Sequence, residues 1–244
     1  MSERPRYGVV LDFDGTLTPK SLGSLFRVVD THALPPEAEP DFKVLRERYN
    51  PLAETGKLSA ELQQEWLAET FEIYIRHRLT REAWQLAIAS ALTLRPGSVG
   101  ALVALHAAGV PTAIVSYGSI DFIEHALEIE GIDELVSEIY ATRMRHDAAG
   151  LVVGYDRETF VTQENKGEWS LRFAEAHGIL PENLLAVGDT AGDRYLGHLK
   201  EHRFGIAKDE ADREKIAPYM GETAVSDDFH DARAWLSARL GLPL

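Results

Sequence analysis

Cysteine is absent from this chain of 244 residues. That excludes disulfides, thiolate nucleophiles and cysteine metal sites, and it leaves the redox compartment without a marker. Positive charge is also short: 25 Lys and Arg stand against 39 Asp and Glu, for a net charge of −14. Such a balance disfavours a nucleic-acid polymer or an anionic membrane as the main partner, although a small phosphorylated metabolite depends on local field rather than net charge. Long hydrophobic runs are missing as well. The opening Met-Ser-Glu-Arg-Pro-Arg is polar and the apolar stretch behind it is only one strand long, so neither a secretory signal nor a membrane span is expected. A cytoplasmic protein is the expectation. Internal repeats and low-complexity tracts are lacking too. The oligomeric state is not legible.

Against these absences stands Gly8-Val-Val-Leu-Asp-Phe-Asp-Gly-Thr-Leu-Thr18, where an apolar strand runs into two aspartates one residue apart and then a Gly-Thr turn. The run from Tyr7 to Leu11 has the composition of a fully buried parallel strand, and at such a strand's carboxyl end side chains face an open crevice. Asp12 and Asp14 point the same way. Two buried carboxylates without a positive partner would repel and lose their charge, so a cation is expected beside them.

Beyond Thr18 the periodicity turns helical, with Leu22, Leu25, Phe26 and Val29 forming a stripe before Pro35-Pro36. Helices are expected over Phe42 to Tyr49, Ser59 to His77 and Arg81 to Leu92, with Ser59 and Thr80 as their starting caps. From Leu94-Arg-Pro-Gly97 the pattern alternates: helix Ser98 to Ala108, strand Thr112 to Val115, helix Ile120 to Glu130, strand Val136 to Ala141. A hairpin turning at Asp147-Ala-Ala-Gly150 follows, then helix Gly167 to His177, strand Leu184 to Val187, a helix after Asp193, strand Arg203 to Ile206 and helix Asp228 to Leu240. The fold class expected is α/β, a Rossmann-like doubly wound parallel sheet with an inserted all-helical cap domain. The catalytic core takes residues 1–18 and 95–244, and the cap 19–94. Hinges are expected at Thr18 to Leu22 and Leu92 to Gly97.

Three more sites follow apolar strands or open helices. Ile114-Val-Ser-Tyr-Gly118 brings the Ser116 hydroxyl, with Tyr117 and Gly118 beside it, to a helix start suited to an anion. Asn165-Lys166-Gly167 places an ammonium where it can neutralise a transferring phosphoryl group. Gly188-Asp-Thr-Ala-Gly-Asp193 delivers Asp189 and Asp193, hard oxygen ligands of the kind Mg²⁺ prefers.

The order Asp-x-Asp-Gly-Thr, Ser, Lys, Gly-Asp-x-x-x-Asp resembles the four motifs of the haloacid dehalogenase superfamily, and the helical insertion resembles that superfamily's C1-type cap. The resemblance implies a Mg²⁺-dependent phosphomonoester hydrolase. Asp12 would be the nucleophile forming an aspartyl-phosphate, Asp14 the general acid and base, and Lys166 the charge clamp. Thr16 and Ser116 would hold phosphate oxygens, with Tyr117 and Gly118 in the same loop. The metal would be held by Asp12, the Asp14 backbone carbonyl, Asp189 and, directly or one step removed, Asp193. A dehalogenase has no need of an acid at position 14, whereas a phosphatase does. Two subfamilies compete. Phosphoserine phosphatase-like members share the length and cap position, but this chain has Ser21 where their substrate-binding glutamate is expected and Gly192 where their last motif has asparagine. Cytosolic 5′-nucleotidase III-like members share Arg48-Tyr-Asn-Pro-Leu-Ala-Glu54, Glu65-Trp66 and the Gly188-to-Asp193 pattern. That likeness makes Glu54 the base-reading candidate and a nucleoside 5′-monophosphate the substrate. Trp66, Phe71, Tyr74 and Trp84 either stack on a base or fill the cap's core. His198 with His202, the acidic run Asp227 to Asp231 and the basic group Arg76, His77, Arg78 and Arg81 carry less weight. A phosphomutase and a non-catalytic phosphate-binding protein are the rivals.

Overall fold

The structure, a computed structural model, describes residues 6–54 and 57–244. Strand β1 (Gly8–Leu11) is buried along its whole length, as its unbroken apolar run requires. After it come helices α1 (Leu25–His32), α2 (Glu39–Glu54), α3 (Ala60–Arg76) and α4 (Arg81–Ala91), with no strand among them in the described residues. Helix α5 (Ser98–Ala107), strand β2 (Thr112–Ser119), helix α6 (Ile120–Glu130) and strand β3 (Glu138–Thr142) resume the alternation. The antiparallel hairpin β4 (Met144–His146) and β5 (Val152–Tyr155) precedes α7 (Lys166–Ala176) and β6 (Leu184–Gly188). Strand β7 (Arg203–Ala207), helix α8 (Glu210–Ile216), strand β8 (Glu222–Val225) and helix α9 (His230–Leu240) close the chain.

The six-stranded sheet has the order β3-β2-β1-β6-β7-β8, parallel throughout. From central β1 the chain winds first outward through β2 and β3, then returns to β6 on the other side. The strand order therefore reverses between β1 and β6, where open α/β sheets form a crevice at their carboxyl ends. In register, Leu11 lies opposite Ile114 on β2 and Val187 on β6. Asp12 and Asp189 thus leave adjacent strands at nearly one level, with Ser116 beside them on neighbouring β2.

The α/β class with its inserted helical cap is as expected, and the caps have the anticipated chemistry. Ser59 Oγ accepts from Leu62 N–H, and Thr80 Oγ1 accepts from Ala83 N–H. The hairpin turn is held by Asp147 Oδ1, which accepts from Ala149 and Leu151 N–H groups at 2.9 Å. Differences have physical reasons. Helix α2 starts earlier than Phe42 because a short turn over Pro36–Ala38 leads directly into it, and it continues through Pro51. The helix expected after Asp193 is two short 3₁₀ turns, Ala191–Tyr195 and Lys200–His202, separated by Gly197 at φ +68°. Neither α8 nor β8 was expected: α8 buries only Ile216, and β8 is a half-exposed edge strand.

The cap is seated on the core. Leu25, Phe42 and Tyr74 from the insertion belong to the same buried apolar cluster as Val9, Leu11 and Ile114 from the sheet. Where the insertion rejoins the core, Arg95 is buried, and its guanidinium donates to the carbonyls of Thr16 (2.9 Å), Gly15 (2.5 Å) and Ser226 (2.8 Å).

Candidate active site

Asp12 follows β1 and is 6 % exposed. Its Oδ1 accepts from Lys166 Nζ at 2.9 Å. Lys166, the first residue of α7, also donates to Asp193 Oδ1 at 2.7 Å, so one ammonium spans two acids. Burial pushes the Asp12 carboxyl up to about 6 against the opposing pull of Lys166. Lys166 is held above its ordinary range because burial, which lowers it, is outweighed by Asp12 and Asp193.

Asp14 is placed by the following turn, where Gly15 adopts φ +79°. A side chain at Gly15 would also meet Asp189 Oδ2 at 2.4 Å, so glycine is required on both counts. Asp14 Oδ1 accepts from Leu25 N–H, the opening amide of α1, at 3.1 Å. Burial, and then the charge of Asp12, push its carboxyl up to about 7. A carboxyl poised there can both give and take a proton near neutrality.

Asp189 leaves β6, 3 % exposed, with Oδ1 accepting from Thr16 Oγ1 at 3.2 Å. Burial and neighbouring Asp193 push it up to about 8. Asp193 is the opposite case. Its Oδ1 takes Lys166, and its Oδ2 accepts from Asp189 N–H, Thr190 N–H and Thr190 Oγ1 at 2.9 to 3.0 Å. Those donors hold it below the usual carboxylate range despite complete burial. Ligand atoms of Asp12, Asp189 and Asp193 lie within 4.8 Å of one another. Asp12, Asp189 and Asp193, with Asp14 beside them, outnumber the two ammoniums that face them, Lys166 on Asp12 and Asp193 and Lys20 on Asp189, and their donors are hard oxygens. The set therefore fits a small divalent cation. The saturated Asp193 positions Lys166 and the Asp189 loop, leaving Asp12 and Asp189 the more available ligands.

A cavity of about 410 Å³ opens over these groups between core and cap, and Asp12, Asp14, Ser116, Tyr117, Gly118 and Lys166 line it. Ser116 lies within β2, inside the irregular stretch between Val115 and Ser119, and its Oγ accepts from Gly118 N–H at 3.1 Å. Thr16 differs from expectation: it is fully buried, its hydroxyl is turned to Asp189, and it is not part of the lining. Tyr117 reaches the cap instead, donating to the Gln63 carbonyl at 2.9 Å. Glu54 ends α2, and its side chain lies outside the described residues. Of the four aromatics, Trp66 alone lines the cavity, stacked on Tyr49 with centroids 5.3 Å apart, whereas Phe71, Tyr74 and Trp84 are buried in the apolar cluster. Arg76 and His77 pair with Asp41 on α2, away from the cavity. Neither His198 nor His202 joins a metal-binding group among the described residues. Asp228 lies just ahead of the last helix and accepts from the N–H of its first residue, His230.

Several residues escaped sequence reasoning. Lys20 Nζ lies 2.6 Å from the Asp189 carbonyl oxygen, 3.1 Å from Asp189 Oδ2 and 2.5 Å from Asp212 Oδ2. Arg27, Asp30 and Arg46 line the cavity from α1 and α2, and Gln63 joins cap to core. No motif signals them, because their helices meet only in three dimensions.

The model of the haloacid dehalogenase-like hydrolases matches residues 9–198, from the first strand through the last acidic loop. The chain belongs to that family. Within it, similar solved structures share the whole architecture. A phosphoserine phosphatase solved as a phospho-aspartyl intermediate analogue superposes with a TM-score of 0.70 at 20% identity, covering 95% of this chain and 99% of that one. Cytosolic 5′-nucleotidase IIIB bound to cytidine gives 0.76 at 18% identity, covering 97% and 86%. A substrate-bound phosphoserine phosphatase gives 0.69 at 19%, covering 96% and 99%. No curated protein sequence matches the chain. At these identities the likeness establishes the fold, and this hydrolase's substrate must be argued from its own cavity.

Proposed function

We propose that this hydrolase cleaves phosphomonoesters through a covalent intermediate on Asp12, with Mg²⁺ as cofactor. The carrying observation is Asp12 clamped to Lys166 on the cavity floor with a second acid, Asp14, beside it. A carboxylate oxygen of Asp12 attacks phosphorus. The ester oxygen departs as the alcohol, taking the Asp14 proton. Water then attacks the aspartyl-phosphate, Asp14 recovers a proton from that water, and Asp12 is freed with release of inorganic phosphate. Lys166 stays in place through both halves and offsets the charge on the phosphoryl oxygens, as do the Ser116 hydroxyl and the Gly118 loop. Asp12, Asp189 and the Asp14 carbonyl would hold the metal, with Asp193 bracing them. When bound, it supplies positive charge that draws the phosphoryl group toward the nucleophile.

Residues 19–94 act as the cap, hinged near Thr18 to Leu22 and Leu92 to Gly97, and its closure excludes water. The apolar breadth of the cavity supports a leaving group larger than serine, and a nucleoside 5′-monophosphate heads the substrate classes. The test is phosphate release from UMP, CMP, phosphoserine and a sugar phosphate, with Mg²⁺ or with chelator. The Asp12→Asn variant should keep the native circular dichroism and lose on the order of 10⁴-fold or more in kcat. Near-native turnover by that variant contradicts the covalent route, and a sugar phosphate isomerised without phosphate release identifies a mutase instead.

A further inference from the structure

A second ammonium meets the acid cluster without lining the cavity. Lys20 lies in the span between β1 and α1, where two turns fix its backbone: Leu22 N–H donates to the Pro19 carbonyl at 3.0 Å, and Gly23 N–H donates to the Lys20 carbonyl at 3.2 Å. Its Nζ has three protons to give and three acceptors within reach, the Asp189 carbonyl oxygen at 2.6 Å, Asp189 Oδ2 at 3.1 Å and Asp212 Oδ2 at 2.5 Å.

Two of those acceptors belong to one residue. By gripping the main-chain oxygen and the carboxylate of Asp189 together, Lys20 fixes how that side chain turns out of its loop, while Thr16 Oγ1 holds the other oxygen, Oδ1, at 3.2 Å. With one donor on each oxygen, both keep a lone pair for a cation.

The third acceptor decides what Lys20 does to a metal. A bare ammonium so close to Asp189 would repel a divalent cation and compete with it for the carboxylate. Asp212 on α8 offsets that charge. Its Oδ2 also accepts from the Lys208 N–H at 3.1 Å, and its own N–H donates to Asp209 Oδ1 at 2.8 Å, so α8 holds it in place independently of Lys20. The pair is neutral, and what it delivers to Asp189 is direction.

We propose that Lys20, held by Asp212, is a positioning residue for the metal centre: it fixes the Asp189 carboxylate in the orientation from which a divalent cation is bound, and it gives α8 a place in the site that its composition does not announce. The assignment rests on the Mg²⁺-dependent part of the reading above. Because Lys20 does not line the cavity, its effect passes through metal affinity rather than through the substrate. Partners that orient a metal ligand from behind carry roughly 10- to 100-fold in affinity.

The experiment is calorimetric titration of the metal-free full chain with Mg²⁺ alone, well below the melting temperature, for wild type, Lys20→Met, Lys20→Arg and Asp212→Asn. Lys20→Met should weaken Mg²⁺ binding by roughly 10- to 100-fold, and Lys20→Arg should return part of the loss. Asp212→Asn leaves the ammonium in place but uncompensated, so it should weaken binding too. A competing lysine behaves differently, since its removal tightens binding while Asp212→Asn loosens it. Opposite signs in those two variants, or wild-type affinity in Lys20→Met, overturn the inference and leave the hydrolase reading intact. Should Lys20→Met fail to fold, Lys20→Gln, neutral and polar, replaces it with the same expected direction. In turnover of whichever ester the wild type cleaves, Lys20→Met should need more Mg²⁺ for half-maximal rate and recover kcat, with an unchanged KM for the ester, once Mg²⁺ saturates. A kcat that stays low at saturation overturns the positioning role. Wild-type protein that binds no Mg²⁺ overturns the metal-dependent reading and this inference with it.

Discussion

Asp189 shows what burial does to a single carboxyl. It is shut away beside Asp193 and titrates at about 8, with Asp14 at about 7 and Asp12 at about 6. All three lie above the range of an unfolded aspartate, so between roughly pH 4 and pH 8 the metal-free native state binds more protons than the unfolded chain. The slope of unfolding free energy with pH is then negative. Stability of the metal-free protein is greatest at the acidic end of this window, falls as pH rises through each native value, and levels off above about 8. With chelator present, the melting temperature should drop on the order of 5–10 °C from pH 5 to pH 8, and Mg²⁺ should flatten the decline by binding the ionised acids. Asp189→Asn should raise the pH 8 melting temperature without metal and abolish the Mg²⁺ response. A metal-free melting temperature that rises over this window would show that these acids are stabilised as anions. Residues of this kind are legible in sequence, because a glycine-flanked acid at a strand end has few other reasons to be there. Arg46 and Asp30 are not, since sixteen positions separate them on two successive helices, and only the packing of α1 and α2 brings both to one cavity.

Among the elements, α3 binds cap to core through one buried side chain. Gln63, 1 % exposed, accepts through Oε1 from the Gln163 N–H at 2.9 Å and donates through Nε2 to the Leu58 carbonyl, while its own carbonyl receives the Tyr117 hydroxyl. Gln63→Ala removes the side-chain bonds and leaves a core N–H without its partner. A loss of about 1–2 kcal/mol in stability is expected, with faster hydrogen exchange at the Gln163 amide. Unchanged exchange there would mean that the Gln63 side chain does not hold the two layers together. The helices of the cap were legible from period and capping residues, Ser59 and Thr80 above all. Short polar elements were not. Helix α8, Glu-Ala-Asp-Arg-Glu-Lys-Ile, presents one buried side chain and no stripe, and β8 draws its order from pairing with β7 rather than from its own composition. The loop after Asp193 has helical composition, but its turns tighten because Asp193 is occupied holding Thr190 and Lys166.

For the whole molecule, the larger of two buried apolar clusters runs through both sheet and cap, which predicts one cooperative unfolding transition. The four tryptophans make this measurable, since Trp66 and Trp84 belong to the insertion and Trp169 and Trp235 to the core. Urea curves followed by tryptophan fluorescence and by far-ultraviolet circular dichroism should coincide, and a separate early transition would show the insertion melting alone. The Arg95 guanidinium bears on the same connectivity. It grips the carbonyls of Gly15 and Thr16, where the chain departs for its helical excursion, while its own N–H donates to the Leu17 carbonyl at 2.7 Å as the chain comes back. Departure and return pass through one gateway fastened by a single residue. Lys20 and Leu25, which touch Asp189 and Asp14, belong to the departing stretch of that gateway, and what lies beyond them can be lengthened, trimmed or exchanged during evolution with the acids beneath kept in place, so a protein engineer seeking to graft new selectivity onto this scaffold would splice after Leu25 and before Arg95.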